Sequence, residues 1–311
     1  MFENVPNQKI EHPLLREHEI ELFVKREDLL HPFISGNKYR KLKYNISEAK
    51  TQKKTTLLTF GGAFSNHIAA TAAAGKQYNF KTIGIIRGDE LGVDIQKTLS
   101  TNATLAFAAA QGMQLHFIKR SAYKLKDTCK FIDQLHNQFG DFYLIPEGGT
   151  NNLAIKGCEE ILTPSDKSFD LICCAVGTGG TMCGLINSAQ AHQKVMGFPV
   201  LKEDYLHQEI DRKTTNNNWT LNRKYHLGGY AKYNEALIRF MNSFFDDQQI
   251  LLDPIYTGKL LLGIFEEVRL QKISKKKCIL AVHTGGIQGI TGINNKLKNK
   301  QATLIKTHHE I

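Results

Sequence analysis

Three features of the 311-residue chain predict an α/β architecture of open, mostly parallel sheets with helices on both faces. Short apolar runs alternate with longer stretches of helical spacing. Several runs are apolar throughout, as suits strands buried on both faces. Glycine-bearing loops join runs to helices, and ligands of open α/β sheets bind where such loops gather.

The elements follow in order. Strand 20–26 (IELFVKR) leads through Ser35-Gly36-Asn37-Lys38 into helix 37–50. Strand 56–60 (TLLTF) is followed by the loop from Gly61 to His67 and helix 65–77. Strands 82–87 (TIGIIR) and 113–118 (MQLHFI), helix 122–138, strand 142–146 (FYLIP) and helix 151–162 come next. Strand 169–176 (FDLICCAV) ends in Gly177-Thr178-Gly179-Gly180-Thr181, which opens helix 181–193. Residues 198–228 read as the least regular stretch, and the run Asn216 to Asn218 as a surface loop. Helices 233–245 and 257–271 precede strand 278–283 (CILAVH), which ends in His283-Thr284-Gly285-Gly286.

Composition bounds the possibilities. With 41% hydrophobic and 23% charged residues the chain is a folded protein, long enough for about two domains. No apolar run approaches the roughly 20 residues of a membrane helix. The N-terminal stretch lacks the pattern of a secretory signal, so a cytoplasmic location is expected. The six cysteines form no CxxC pair and read as reduced thiols, Cys173 and Cys174 on opposite strand faces. None of them has metal-ligand spacing with the histidines, so no metal is expected. Forty Lys+Arg against 30 Asp+Glu leave a charge of +10. The lysines cluster in loops and a basic tail without interleaved aromatics, which disfavours a nucleic-acid partner.

The third glycine loop invites an anion, because glycines let the backbone approach and a helix start presents free N–H groups. It is neither a dinucleotide fingerprint, since Met182 stands where the last glycine belongs, nor a P-loop. A structural turn would read the same. Lys38, just after Gly36 at a helix start, lies where the helix dipole and partial burial favour the neutral amine that condenses with a carbonyl. Lys41, one turn on, reaches the same side. By spacing alone, Lys38 reads more readily as a solvated helix lysine.

Six separated motifs, in order, resemble one family: KREDLLHPFISGNKYRKL, GGAFSNHIAATAAA, PEGGTNNLAIKGCEEI, VGTGGTMCGL, LDPIYTGK and HTGG. They are similar to the pyridoxal 5'-phosphate enzymes of the 1-aminocyclopropane-1-carboxylate (ACC) deaminase and D-cysteine desulfhydrase family. The resemblance implies the two-domain tryptophan-synthase-β-like architecture (fold type II) and a homodimer. A small inserted α/β domain would span 42–148, and residues 1–41 with 149–311 would form the large cofactor-binding domain. It makes Lys38 the lysine bonded to the cofactor and gives the phosphate to Gly177, Thr178, Gly179, Gly180 and Thr181, with Lys41 in reach. Asn66 would meet the phenolic oxygen. Ser65, Asn66 and His67 would face the substrate, and the substrate carboxylate would bind among the backbone N–H groups and hydroxyls of 62–67. Tyr256 and Tyr230 match tyrosines beside the substrate, and Thr257 falls where the pyridine nitrogen has its partner.

The resemblance also bears on the reaction. ACC deaminases resemble one another in carrying Glu and Leu where this chain has Thr257 and Thr284; desulfhydrase-type members carry threonine at both. A hydroxyl partner makes a weaker electron sink than a carboxylate, enough for β-elimination of a good leaving group but less suited to opening a cyclopropane. The expected reaction is α,β-elimination of a small D-amino acid, D-cysteine first, giving pyruvate, ammonia and hydrogen sulfide, with Lys38 or Tyr256 as base. ACC or D-serine deamination is the alternative. The chain departs from the family pattern at Ala69, where many members have arginine, between Leu185 and Tyr225, and after Arg87. A member that binds cofactor without turnover is a further reading.

Overall fold

The computed structural model describes residues 5–202 and 205–308. In chain order the elements are β1 (Asn7–Ile10), α1 (Pro13–Glu17), β2 (Glu21–Lys25), α2 (Asn37–Thr51), β3 (Thr56–Gly62), α3 (Asn66–Tyr78), β4 (Lys81–Arg87), α4 (Ile95–Thr101), α5 (Ala103–Ala110), β5 (Met113–Ile118), α6 (Arg120–Tyr123), α7 (Cys129–Phe139) and β6 (Tyr143–Ile145). They continue with α8 (Asn152–Glu159), β7 (Leu171–Val176), α9 (Gly180–Ser188), β8 (Lys194–Pro199), α10 (Leu206–Asp211), β9 (Trp219–Leu221), α11 (Glu235–Gln248), α12 (Thr257–Arg269), β10 (Cys278–Val282) and α13 (Ile290–Lys298).

The strands form two sheets. One has the order β1-β2-β10-β7-β8-β9, and only its β1–β2 pair is antiparallel. The other, β5-β4-β3-β6, is parallel throughout and draws its strands from the middle of the chain. Every residue of β7 is buried, as its unbroken apolar run requires. Cys173 packs into the core on one face of that sheet and Cys174 into the core on the other. Helix α2 links the two sheets. Its Leu42, Ile46 and Ala49 pack with Leu57 and Ile145 of the smaller sheet, while the N–H of Asn37 donates to the Thr284 carbonyl beyond β10 (3.4 Å).

Several expectations need correction. Helix 122–138 is two helices, α6 and α7, because the chain turns between Leu125 and Thr128, whose hydroxyl and N–H both close onto the Leu125 carbonyl. Helix 181–193 stops at Ser188, and β8 begins at Lys194. The stretch 198–228 is no plain loop: within its described residues it holds the end of β8, then α10 and β9, while Glu203 and Asp204 lie outside them. The Asn run is tied inward, Asn216 Nδ2 donating to Ile186 O (3.0 Å) and Asn218 Nδ2 to Gln193 O (2.7 Å). Part of the lysine-rich tail is helix α13, with Ile293 and Leu297 buried and Asn294 bonded through both side-chain ends to Ile305. β1, α4 and α5 were not foreseen. Among the described residues no helix is long and apolar enough to cross a membrane.

Candidate active site

A cavity of about 420 Å³, within the usual range of small-molecule sites, opens where the carboxyl ends of β3, β4, β7 and β10 meet the start of α2. Its position follows from topology: parallel strands put all their C-terminal loops on one edge of each sheet.

Lys38 lines the cavity. It can do so because Gly36 lets α2 begin against the β10 loop: φ is +61° and a Cβ there would lie 2.0 Å from the Thr284 carbonyl oxygen. Lys38 Nζ donates to Asn37 Oδ1 (3.0 Å), and Asn37 Nδ2 donates to Thr181 Oγ1 (2.7 Å). Burial first, and then the charge of Lys41, lower the Lys38 ammonium to about 7, which leaves the amine largely neutral at physiological pH. Lys41 is buried, and burial lowers its pKa too. Its Nζ donates to Gly148 O (3.0 Å) and Thr150 Oγ1 (2.9 Å).

Gly177, Thr178, Gly179 and Thr181 also line the cavity. Gly180 is not among the lining residues; it backs onto Thr150 and Lys41. The nine-residue α9 starts here with no side-chain cap, so its first N–H groups are left for a guest. At Gly177 a Cβ would lie 3.3 Å from the Tyr256 ring, a tight contact that the ring would have to relieve by a few tenths of an ångström.

At the head of α3, Ser65 caps the helix, accepting from Ile68 N (3.4 Å), and Ser65 and Asn66 both line the cavity. His67 also lines it and is 1% exposed. The single hydroxyl proton of Thr59 goes to Ile145 O (2.8 Å), so His67 Nε2, 2.8 Å from the same hydroxyl, is the donor to it. Its Nδ1 is buried without a well-formed hydrogen bond among the described residues, the Pro146 carbonyl being the backbone group that bears on the ring. Burial, aided by Lys38 and Lys41, keeps this imidazole neutral.

The head of α12 departs from expectation. Thr257 is buried and is not among the lining residues. Its hydroxyl donates to Asp253 Oδ2 (2.8 Å) and accepts from Asp253 N (2.8 Å), so its one proton is already committed. The Asp253 carboxylate also accepts from Ile255, Tyr256 and Thr257 N–H and thereby builds the turn. In this structure the Thr257 hydroxyl is thus engaged with Asp253 at the head of α12. Tyr256, the next residue upstream, does line the cavity, as do Tyr230 and Thr284. The two tyrosine rings meet edge to face at 6.3 Å, and burial, then Tyr230, holds the Tyr256 phenol well above its ordinary value.

Two charged lining residues were not foreseen. Arg87 ends β4, with its guanidinium over the Tyr123 ring (5.7 Å). Glu147 is occupied by the Tyr123 hydroxyl (2.7 Å) and Lys126 (3.4 Å). Arg87 carried a usable signal, a charge at the carboxyl end of an apolar strand. Glu147, preceding two glycines, carried none.

These features fit a group with an aldehyde and a phosphate: a neutral amine and a glycine-walled, uncapped helix start line one cavity. A family model described as "Pyridoxal-phosphate dependent enzyme" matches residues 5–285. The chain is 31% identical to a putative 1-aminocyclopropane-1-carboxylate deaminase of Thermotoga maritima, over 91% of this chain and 94% of the relative. It is equally 31% identical to a bifunctional D-cysteine desulfhydrase/1-aminocyclopropane-1-carboxylate deaminase of Arabidopsis thaliana, covering 87% of this chain and 73% of that protein. A solved ACC deaminase homologue superposes with a TM-score of 0.80 at 26% identity, over 95% of this chain and 93% of that one.

Proposed function

The chain belongs to the pyridoxal-phosphate dependent enzyme family, and from that premise we propose that this lyase eliminates the β-substituent of a small D-amino acid, D-cysteine being its substrate. Pyridoxal phosphate, when bound, supplies an aldehyde that captures amino groups and a ring that draws electrons from the adjacent Cα. Lys38 is the residue that bonds to it, and the head of α9 takes the phosphate. Asn66 is assigned to the phenolic oxygen. The loop at 62–67, with Arg87 beside Gly62, holds the substrate carboxylate; a Cβ on Gly62 would lie 3.7 Å from the Arg87 guanidinium. The two sheets support a division into residues 42–148 as the smaller unit and 1–41 with 149–311 as the larger.

The neutral Nζ of Lys38 takes the proton from Cα. Tyr256 is the poorer base, since its phenol holds its proton far above neutral pH; it stays a hydrogen-bond donor beside the sulfur as the Cβ–S bond breaks, and the released sulfide takes its proton from water. In sum, D-cysteine and one water give pyruvate, ammonia and hydrogen sulfide. One observation carries the choice of leaving group. The only carboxylate lining the cavity among the described residues, Glu147, is held by Tyr123 and Lys126. A site without a free carboxylate partner favours a substrate whose leaving group departs readily.

Borohydride reduction of the yellow holoenzyme followed by peptide mass analysis is expected to mark Lys38; a label on any other lysine refutes the assignment. D-Cysteine, L-cysteine, D-serine and ACC are then supplied separately. Sulfide and pyruvate from D-cysteine, faster than any other product forms, is the expected result, and faster 2-oxobutanoate release from ACC overturns the choice of substrate.

A further inference from the structure

Lys259 closes the Asp-Pro-Ile-Tyr-Thr-Gly-Lys run and has no part in the chemistry above. It lies on the first turn of α12, three residues beyond Tyr256, with its side chain buried. Its Nζ donates to the carbonyl oxygens of His226 (2.8 Å) and Gly229 (2.9 Å). These carbonyls belong to an unusual piece of backbone. Leu227 (φ +51°), Gly228 (+96°), Gly229 (+115°) and Ala231 (+56°) all adopt left-handed φ, and two of the four carry side chains that disfavour it. Such a conformation persists only where surrounding contacts impose it. Local ones exist: Gly229 N donates to His226 O (3.0 Å) and Gly228 N to His226 Nδ1 (2.9 Å). Helix α12 adds another, Glu267 Oε1, which accepts from the Tyr225 hydroxyl (2.7 Å). In the middle of this turn sits Tyr230, 40% exposed at the cavity and in contact with the Tyr256 ring.

We infer that Lys259 is a positioning residue that clamps the 226–231 turn onto α12, so that Tyr230 and Tyr256 meet over the cavity and together fix the room left for the substrate side chain. An ammonium suits the task, because its donors satisfy two converging carbonyls at once and its charge strengthens both bonds. The substrate consequence rests on the reading of Tyr230 as substrate-facing; the clamp does not.

The test uses the holoenzyme with Lys259→Met and Lys259→Arg. Brief trypsin digestion, read by mass, follows cleavage after Arg223, Lys224 and Lys232, which flank the turn, against cleavage after the exposed Arg269 as control. Lys259→Met is expected to be cut at the flanking sites about 10-fold faster, since opening of a turn governs its cleavage, with the Arg269 rate and the bound-cofactor absorbance unchanged. KM for D-cysteine is expected to rise about 10-fold with kcat little altered, the signature of lost substrate binding. Lys259→Arg, which keeps the donors, recovers both. Tyr225→Phe loosens the same turn by removing its bond to Glu267 while leaving the Lys259 ammonium in place, and gives the same pattern at smaller amplitude, which covers a Lys259→Met that does not fold. Unchanged flanking cleavage in both variants overturns the clamp. Faster cleavage with unchanged KM leaves the clamp standing and refutes the placing of Tyr230 at the substrate.

Discussion

The amine of Lys38 is the sharpest quantity to test. With its pKa lowered from 10.5 to about 7, its protonation at assay pH differs entirely from that of an ordinary lysine. At pH 8 the neutral fraction rises from about 0.3% to about 90%, roughly 300-fold, by the titration equation alone. The sign follows from the causes. Burial and the Lys41 charge both penalise the ammonium, so the proton leaves early and the neutral amine persists at every pH above about 7. The assay is acylation or reductive methylation of the cofactor-free chain across pH 6–11, with Lys38 followed by peptide mass and an exposed lysine such as Lys298 as reference. The midpoint of reactivity is the readout, because a less basic amine is also a weaker nucleophile and rates alone understate the shift. A midpoint near 7 is expected, and Lys41→Met moves it upward. A midpoint near 10.5 refutes the account, since Lys38 would then be solvated. The same shift predicts that this residue adds to stability as pH rises from about 7 towards 10.5, where the unfolded chain still binds the proton and the folded one does not.

Gly36→Ala places a Cβ 2.0 Å from the Thr284 carbonyl oxygen at φ +61°; backbone cannot swing away, so a loss of about 2–4 kcal/mol is expected in thermal or denaturant melts. Gly112→Ala, at φ +90° but in open space, tests the conformational part alone and loses only about 1 kcal/mol. Lys25 and Asp166 form a buried pair at 2.8 Å, and Lys25→Met leaves the carboxylate without its counter-charge, held only by Asn7 and Thr163, a cost of about 3 kcal/mol by denaturant titration. Burial pushes Asp166 up, but hydrogen bonds from Lys25 and Asn7 outweigh it and hold the carboxyl below its ordinary value. Its stabilisation is therefore full above that ordinary value and lost as pH falls through the lowered one; a wild-type acid-unfolding curve no steeper there than that of Lys25→Met contradicts this. Arg87→Gln raises KM for D-cysteine about 10- to 100-fold, the worth of a charge-assisted contact, with cofactor absorbance unchanged; an unaltered KM removes Arg87 from the substrate.

Much of the fold was legible because its signals are local. A run such as LICCAV declares a strand buried on both faces by itself, and β5 occupies the very residues 113–118 of its apolar run. Short or interrupted elements escaped: β9 has three residues, and β8 carries glycine and proline within KVMGFP. Lys38, Ser65, Asn66, Tyr256 and the glycine loop could be picked out from motif resemblance, and the cavity gathers them.

Other properties of the site belong to contacts between residues far apart in the chain. Lys41 meets Gly148 107 positions away, and Lys259 meets Gly229 30 positions away. The Lys38 pKa is a property of the volume enclosed around the amine. Thr257 was assigned a ring-nitrogen partner from its place in a motif, yet the turn commits its proton to Asp253 four residues upstream. Local sequence thus determined which strands, loops and reactive residue types exist, because apolar periodicity and glycine act over a few positions. Burial, proton ownership and the clamp on Tyr230 were decided only by the folded chain, because desolvation and hydrogen-bond competition depend on what surrounds an atom in space.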